Sequence, residues 1–171
     1  MKSVARLAGT VGASLALLLG SAGNSHAVTG SAVTFHNVNS NLCLSVPAAS
    51  TGFEYLNQFN CGGYPDQYWD ILEGAVWKGA TYYKIVNRNS GLCLSVDKAS
   101  KADLARVTQY PCGTPLYPDQ YWAFGDSMYG GRQLVNWNSG RCLAIEGGSF
   151  DWTAPAIQYT CGTWRDHFWA F

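Results

Sequence analysis

The chain has 171 residues, with eleven Lys and Arg balanced by eleven Asp and Glu; aromatics make up 14% of it and charged residues only 13%. It has no Lys/Arg cluster, so it lacks the electrostatic footprint of a nucleic-acid binder. Its length suits one compact domain behind a leader.

The first 27 residues have the three-part layout of a secretory signal peptide: Lys2 and Arg6, a short apolar run (LAGTVGASLALLLG), then Ser25-His26-Ala27 with small residues where a signal peptidase reads. The apolar run is too short for a bilayer, which needs ~20 apolar residues, so we expect export with cleavage after Ala27 and no membrane span. Residues 28–171 then form the mature protein, with nine basic against eleven acidic residues and a net charge of about −2.

Downstream the sequence runs in short apolar stretches broken by Gly, Asn, Ser and Pro, with no long helical pattern, which predicts an all-β secreted domain. Three stretches align: NVNSNLCLSV at 37–46, NRNSGLCLSV at 87–96 and NWNSGRCLAI at 136–145. Each is followed by a second cysteine motif (NQFNC, TQYPC, IQYTC) and then by DQYWDI, DQYWAF or DHFWAF. Asn-Ser-Asn and Asn-Ser-Gly between apolar residues are turn signals, and Asn41, Gly91 and Gly140 sit where a left-handed φ is tolerated. Leu44/Val46, Leu94/Val96 and Leu143/Ile145 alternate with small or polar residues as half-buried strands do. The repeats cover roughly 33–78, 81–127 and 131–171 of a domain spanning 28–171.

Six cysteines allow 15 pairings. Their periodic spacing favours Cys43–Cys61, Cys93–Cys112 and Cys142–Cys161, one bridge per repeat. With no Cys-x-x-Cys motif, and only His36 and His167 left after cleavage, the residues argue against a zinc site, and no cofactor is expected. A period of this size suggests propellers or solenoids first. Three copies cannot close a propeller ring, which needs at least four blades, so three units around a threefold axis fit better.

These motifs resemble the ricin B-type lectin domain, the β-trefoil carbohydrate-binding module, whose repeat runs Ser-Gly-x-Cys-Leu-Asp-Val, Gln-x-Trp-x-Cys, Asn-Gln-x-Trp. The resemblance covers the whole of residues 28–171 in triplicate. It implies a β-trefoil of twelve strands, six in a barrel and six capping it. It also implies that Trp69, Trp122 and Trp169 pack near the pseudo-threefold axis. Ile71, Phe124 and Phe171, two residues further on, are expected to face inward with them.

In that family, sugar is bound by the Asp of Cys-Leu-Asp-Val, by the Asn-Gln before the last Trp, and by an aromatic two residues before the second Cys. A pyranose has polar edges and a C–H-rich face, so hydrogen-bonding groups must stand beside a flat ring. Carried over, the aromatic is Phe59, Tyr110 and Tyr159, and the Gln is Gln67 and Gln120, with His167 in the third copy. The Asn position holds Asp66, Asp119 and Asp166, and the Asp position holds Ser45, Ser95 and Ala144. The family's Gln four before the second Cys is replaced by Asn57, Thr108 and Ile157; a Gln follows one residue later, at 58, 109 and 158, where a strand turns it to the face opposite the aromatic. Repeat three, with Ala144, Ile157 and His167, keeps least of the pattern. Two readings of Asp66 and Asp119 stand side by side: they supply the carboxylate that Ser45 and Ser95 do not, or they cap the turn after Pro65 and Pro118 through backbone N–H groups two residues on. Among the aromatics between motifs (Phe53, Tyr55, Tyr64, Tyr117, Trp152, Trp164), Trp152 and Trp164 are the ones expected to be exposed.

The expected function is that of a secreted, non-catalytic carbohydrate-binding protein. A glycosidase needs two carboxylates around a cleft; Asp66, Asp70 and Glu73 are close in sequence, but surface solvation accounts for them. No Gly-x-Ser-x-Gly elbow is present. The alternative is a trefoil that binds a protein, as a protease inhibitor or a toxin's receptor-binding subunit, through an exposed loop; Arg106, Val107 and GTPLYP at 113–118 are the candidate segments.

Overall fold

The computed structural model describes residues 28–113 and 117–171. The signal-peptide reading of residues 1–27, and residues 114–116 of the GTPLYP segment, lie outside the described residues. The first repeat holds β1 (Val28–Val33), β2 (His36–Asn37), β3 (Cys43–Ser45), β4 (Glu54–Tyr55), β5 (Asn57–Phe59) and β6 (Trp69–Trp77). The second holds β7 (Ala80–Asn87), β8 (Cys93–Val96), β9 (Val107–Tyr110) and β10 (Trp122–Met128), and the third β11 (Gly131–Asn136), β12 (Cys142–Ile145), β13 (Ala156–Tyr159) and β14 (Trp169–Ala170). The fold is an all-β trefoil with fourteen strand segments rather than twelve. The first strand of repeat one is interrupted at residues 34–35 between β1 and β2, and β4 and β5 are separated by Leu56. Among the described residues no helix is long and apolar enough to cross a membrane.

The repeats close cyclically. The start of each third strand pairs with the next repeat: β4 with β9 (Tyr55 opposite Thr108), Arg106 with Ile157, and Pro155 with Asn57. The shifted glutamines reinforce the same contacts. Gln58, Gln109 and Gln158 are fully buried on the side away from the aromatics. The Gln58 amide donates to Ser149 O and Asp151 O at 2.8 Å, that of Gln109 to Ser50 O and Gly52 O at 2.9 and 2.6 Å, and that of Gln158 to Ser100 O and Ala102 O at 2.9 Å. Each amide oxygen accepts from the Ser hydroxyl of its own Asn-Ser turn, Ser40, Ser90 or Ser139. A buried amide so fully paired costs little, while an unpaired one is expensive; the glutamines thus stitch each repeat to a loop of another.

The expected turn and core positions are met. Asn41, Gly91 and Gly140 have φ of 60°, 71° and 67°. Trp69, Trp122 and Trp169 are wholly buried beside Leu44, Leu94 and Leu143, and each indole N–H points at the carbonyl of that leucine. Ile71 is buried and Phe124 packs against the core, but Phe171 is 48% exposed. β14 ends at Ala170, so the Phe171 ring is not strand-directed; it lies across Phe124 and Phe35, with ring centres 5.2 and 5.0 Å away. The three disulfides are Cys43–Cys61, Cys93–Cys112 and Cys142–Cys161.

Candidate functional site: three equivalent cavities

Each repeat carries one cavity at the same place, of about 360 Å³ in the first, 280 Å³ in the second and 660 Å³ in the third. The floor is the strand after the first cysteine, through Ser45, Ser95 or Ala144. One wall is the strand leading to the second cysteine, through Phe59, Tyr110 or Tyr159, and the other is the short turn bearing Asp66, Asp119 or Asp166. The equivalent residue of another repeat completes each: Thr153 in the first, Phe53 in the second and Leu104 in the third. The glutamine stitches therefore also position the neighbour's contribution to each cavity.

The aspartates do not cap their own turns. Asp66 is buried and reaches across to β3, where Oδ2 accepts from Ser45 Oγ at 2.5 Å and from the Val46 N–H at 3.0 Å. Asp119 Oδ2 likewise accepts from Ser95 Oγ at 2.6 Å. Oδ1 of both is bonded to no other described residue. The turns themselves are held from another repeat's first asparagine: Asn87 Nδ2 donates to Asp66 O, Asn136 Nδ2 to Asp119 O and Asn37 Nδ2 to Asp166 O, each at 2.7 Å.

Gln120 lines the second cavity, whereas Gln67 is not among the residues lining the first. Both are fully buried, and their amides clamp the loop after the second cysteine: Gln67 donates to Asn60 O and accepts from Gly62 N, and Gln120 donates to Pro111 O and accepts from Gly113 N. They support the wall behind the aromatics. His167 takes the same place in repeat three, is 3% exposed and borders its cavity. Its Nδ1 is buried without a partner among the described residues, and its Nε2 lies 3.7 Å from Asp166 Oδ2, too far for a hydrogen bond. Burial raises the Asp166 carboxyl above its ordinary value, partly offset by His167 and by the backbone N–H groups of Asp166 and Ile145. Burial also lowers the His167 imidazole, with Asp166 opposing the shift.

A second aromatic per cavity follows from the structure: Tyr64, Tyr117 and Trp164, all exposed and all lining it. Each ring lies over Gly62, Gly113 or Gly162, where an added Cβ would come within 2.4, 2.1 or 2.1 Å of the ring. Their signal in the sequence is position, one residue before Pro65, Pro118 and Arg165. Tyr64 meets Phe59 edge-on at 6.1 Å, and Trp164 meets Tyr159 at 6.2 Å. Trp152 is exposed as expected and stands 5.6 Å from Phe59.

The lip of each cavity carries two successive left-handed residues: Ala48 and Ala49 (φ 54° and 50°), Lys98 and Ala99 (52° and 50°), Gly147 and Gly148 (62° and 59°). The two non-glycine pairs are strained, since a left-handed residue with a Cβ costs ~1–2 kcal/mol. Of the segments expected to form an exposed reactive loop, Val107 is wholly buried at the start of β9, and Arg106, just before it, makes an isolated bridge to Ile157 of the next repeat. His36 stands near the sulfurs of Cys43 and Cys61, but these are joined as a disulfide and offer no thiolate.

The model of the ricin-type β-trefoil lectin domain-like family matches residues 21–110 and again 65–159. Among solved structures, the designed threefold-symmetric protein ThreeFoil is 31% identical with a TM-score of 0.72, over 80% of this chain and 94% of its own. An exo-β-1,3-galactanase from Clostridium thermocellum is 25% identical with a TM-score of 0.73, over 83% of this chain but 30% of the galactanase. The hemolytic lectin CEL-III, 23% identical with a TM-score of 0.64 over 83% of this chain and 31% of its own, shows the fold alone. No curated protein matches the chain.

Proposed function

Because this chain belongs to the ricin-type β-trefoil lectin domain-like family, we propose that it is a secreted, non-catalytic carbohydrate-binding protein whose sugars enter the three equivalent cavities. The supporting observation is the Ser–Asp pair beside aromatic rings in the first two. Having donated its proton to Asp66, Ser45 Oγ keeps lone pairs, and Asp66 Oδ1 has no other partner; the two oxygens can accept from adjacent sugar hydroxyls. Phe59 and Tyr64 supply apolar surface for the C–H face, and Tyr110 and Tyr117 do so beside Ser95 and Asp119. The catalytic alternative has less support: Asp66 is tied to Ser45 and Asp119 to Ser95, Asp97 at the second cavity accepts from the Tyr55 hydroxyl, and Asp70 faces away, accepting from Ser31 Oγ and the Ala32 N–H.

A glycan array probed with the 28–171 protein tests the reading. Binding to at least one glycan, weakened by Asp66→Ala and Asp119→Ala in a folded protein, is the expected result. Absence of binding to every glycan, with activity in a protease-inhibition panel, would transfer the cavities to a protein partner.

A further inference from the structure

The third cavity uses the same positions as the other two and differs at the polar ones. Where Ser45 and Ser95 donate to a carboxylate, Ala144 offers nothing, and no side-chain hydrogen bond reaches Asp166 among the described residues. Beside it, the His167 ring lines the same wall, 96% buried by side chain, with an unpartnered Nδ1. The wall thus holds an acid with no side-chain donor and an imidazole with an unmatched nitrogen.

Neighbouring charges do not make up the deficit. Arg165 lines the cavity too, but its guanidinium is engaged 4.8 Å over the Tyr129 ring and makes no hydrogen bond to Asp166 among the described residues. On the packed strands, Arg132 of β11 lies over Phe124 and His36 of β2 bonds Thr34. Glu146, next to Ile145, is exposed and adds only negative charge. At the lip, Gly147 and Gly148 stand where the second repeat has Lys98 and Ala99, so this cavity has no lysine and more room. Tyr159 and Trp164 supply π faces, which attract a desolvated cation.

We propose that the third-repeat cavity takes a sugar bearing a protonated amine, of the 2-amino-2-deoxyhexose class, its ammonium donating to Asp166 and held against Trp164 and Tyr159. An ammonium carries three donors and no acceptor, which complements this wall. The first two cavities, where Asp66 and Asp119 already receive a serine hydroxyl and Asp97 at the second receives the Tyr55 hydroxyl beside Lys98, take neutral sugars. The assignment rests on the reading of the cavities as carbohydrate sites.

Titration of methyl glucosaminide and methyl glucoside, followed by amide chemical shifts at near-neutral pH, tests it. The amine is expected to bind the third cavity about tenfold more tightly than the glucoside, as one charge-assisted hydrogen bond allows. Asp166→Asn abolishes that preference while the double variant Asp66→Asn/Asp119→Asn retains it. Ala144→Ser, which supplies the missing hydroxyl and leaves the acid in place, reduces it. An equal response to both sugars in the wild type, or an amine preference that survives Asp166→Asn, overturns the proposal while leaving sugar binding intact. No shift in any cavity with either sugar, together with an empty glycan array, overturns the carbohydrate reading itself.

Discussion

Ser45 and Asp66 have exchanged roles without losing contact: the hydroxyl stands where the resembling family carries its acid, the carboxylate stands where it carries an amide, and 2.5 Å separates them. The carboxylate therefore remains at the cavity but is rooted in the opposite wall.

This exchange predicts a charge-swap rescue. Ser45→Asp alone places two carboxylates in contact and should destabilise the fold by several kcal/mol, as an unpaired buried charge does. Adding Asp66→Asn restores one acid and one amide and should recover most of that loss. Denaturant midpoints of the two single variants and the double variant measure the coupling; additive effects would show that the pair does not interact.

The glutamine stitches predict an effect across repeats. Gln109→Leu leaves the carbonyls of Ser50 and Gly52 unpaired, and should cost ~1–3 kcal/mol. It should also weaken ligand binding in the second cavity, because the loop it holds carries Phe53. The readout is affinity at the Tyr110 site after correction for the folded fraction.

The strained lip predicts a gain. Ala48→Gly removes a Cβ from a residue at φ 54°, and should stabilise by up to about 1 kcal/mol after the entropic penalty of glycine. Urea unfolding checks the sign, and the larger third cavity, which already has Gly147-Gly148, offers the internal comparison.

Asp166 predicts a pH dependence. Its folded pKa is raised, mainly by burial, so between the ordinary carboxylate value and that raised value the native state binds more protons than the unfolded one. The penalty it imposes is absent in acid and grows as pH rises through this window. His167 works in the opposite sense: its folded pKa is lowered, so stability rises as pH climbs towards the ordinary imidazole value. Asp166→Asn should therefore be more stable than the wild type at pH 7 and lose that advantage on acidification below the carboxylate range. A constant difference between the two proteins at all pH values would contradict this.

The repeat was legible because its cysteines and tryptophans recur at one period, and period survives substitution. The glutamine shift was legible too, since one residue along a strand reverses the side-chain face. The partner of Asp66 was not: Ser45 lies 21 positions away, and a carboxylate after proline looks, locally, like a turn cap. Gln67 and Gln120 fit a ligand contact by type, yet their amides are bonded to the loop after the second cysteine, whose path is not written in the repeat. Thr153, Phe53 and Leu104 reach their cavities from another repeat, so no single-repeat pattern points to them. Val107 and Phe171 erred in opposite directions for one reason, that strand boundaries decide which side chains are driven inward.

The most direct measurement is calorimetric titration of the strongest array glycan into the wild type and into Asp66→Asn/Asp119→Asn, with folding verified by near-UV circular dichroism. The account predicts that the double variant stays folded and loses at least ~tenfold in affinity for a neutral sugar, the value of one charge-assisted hydrogen bond. Unchanged affinity in the folded double variant would contradict it.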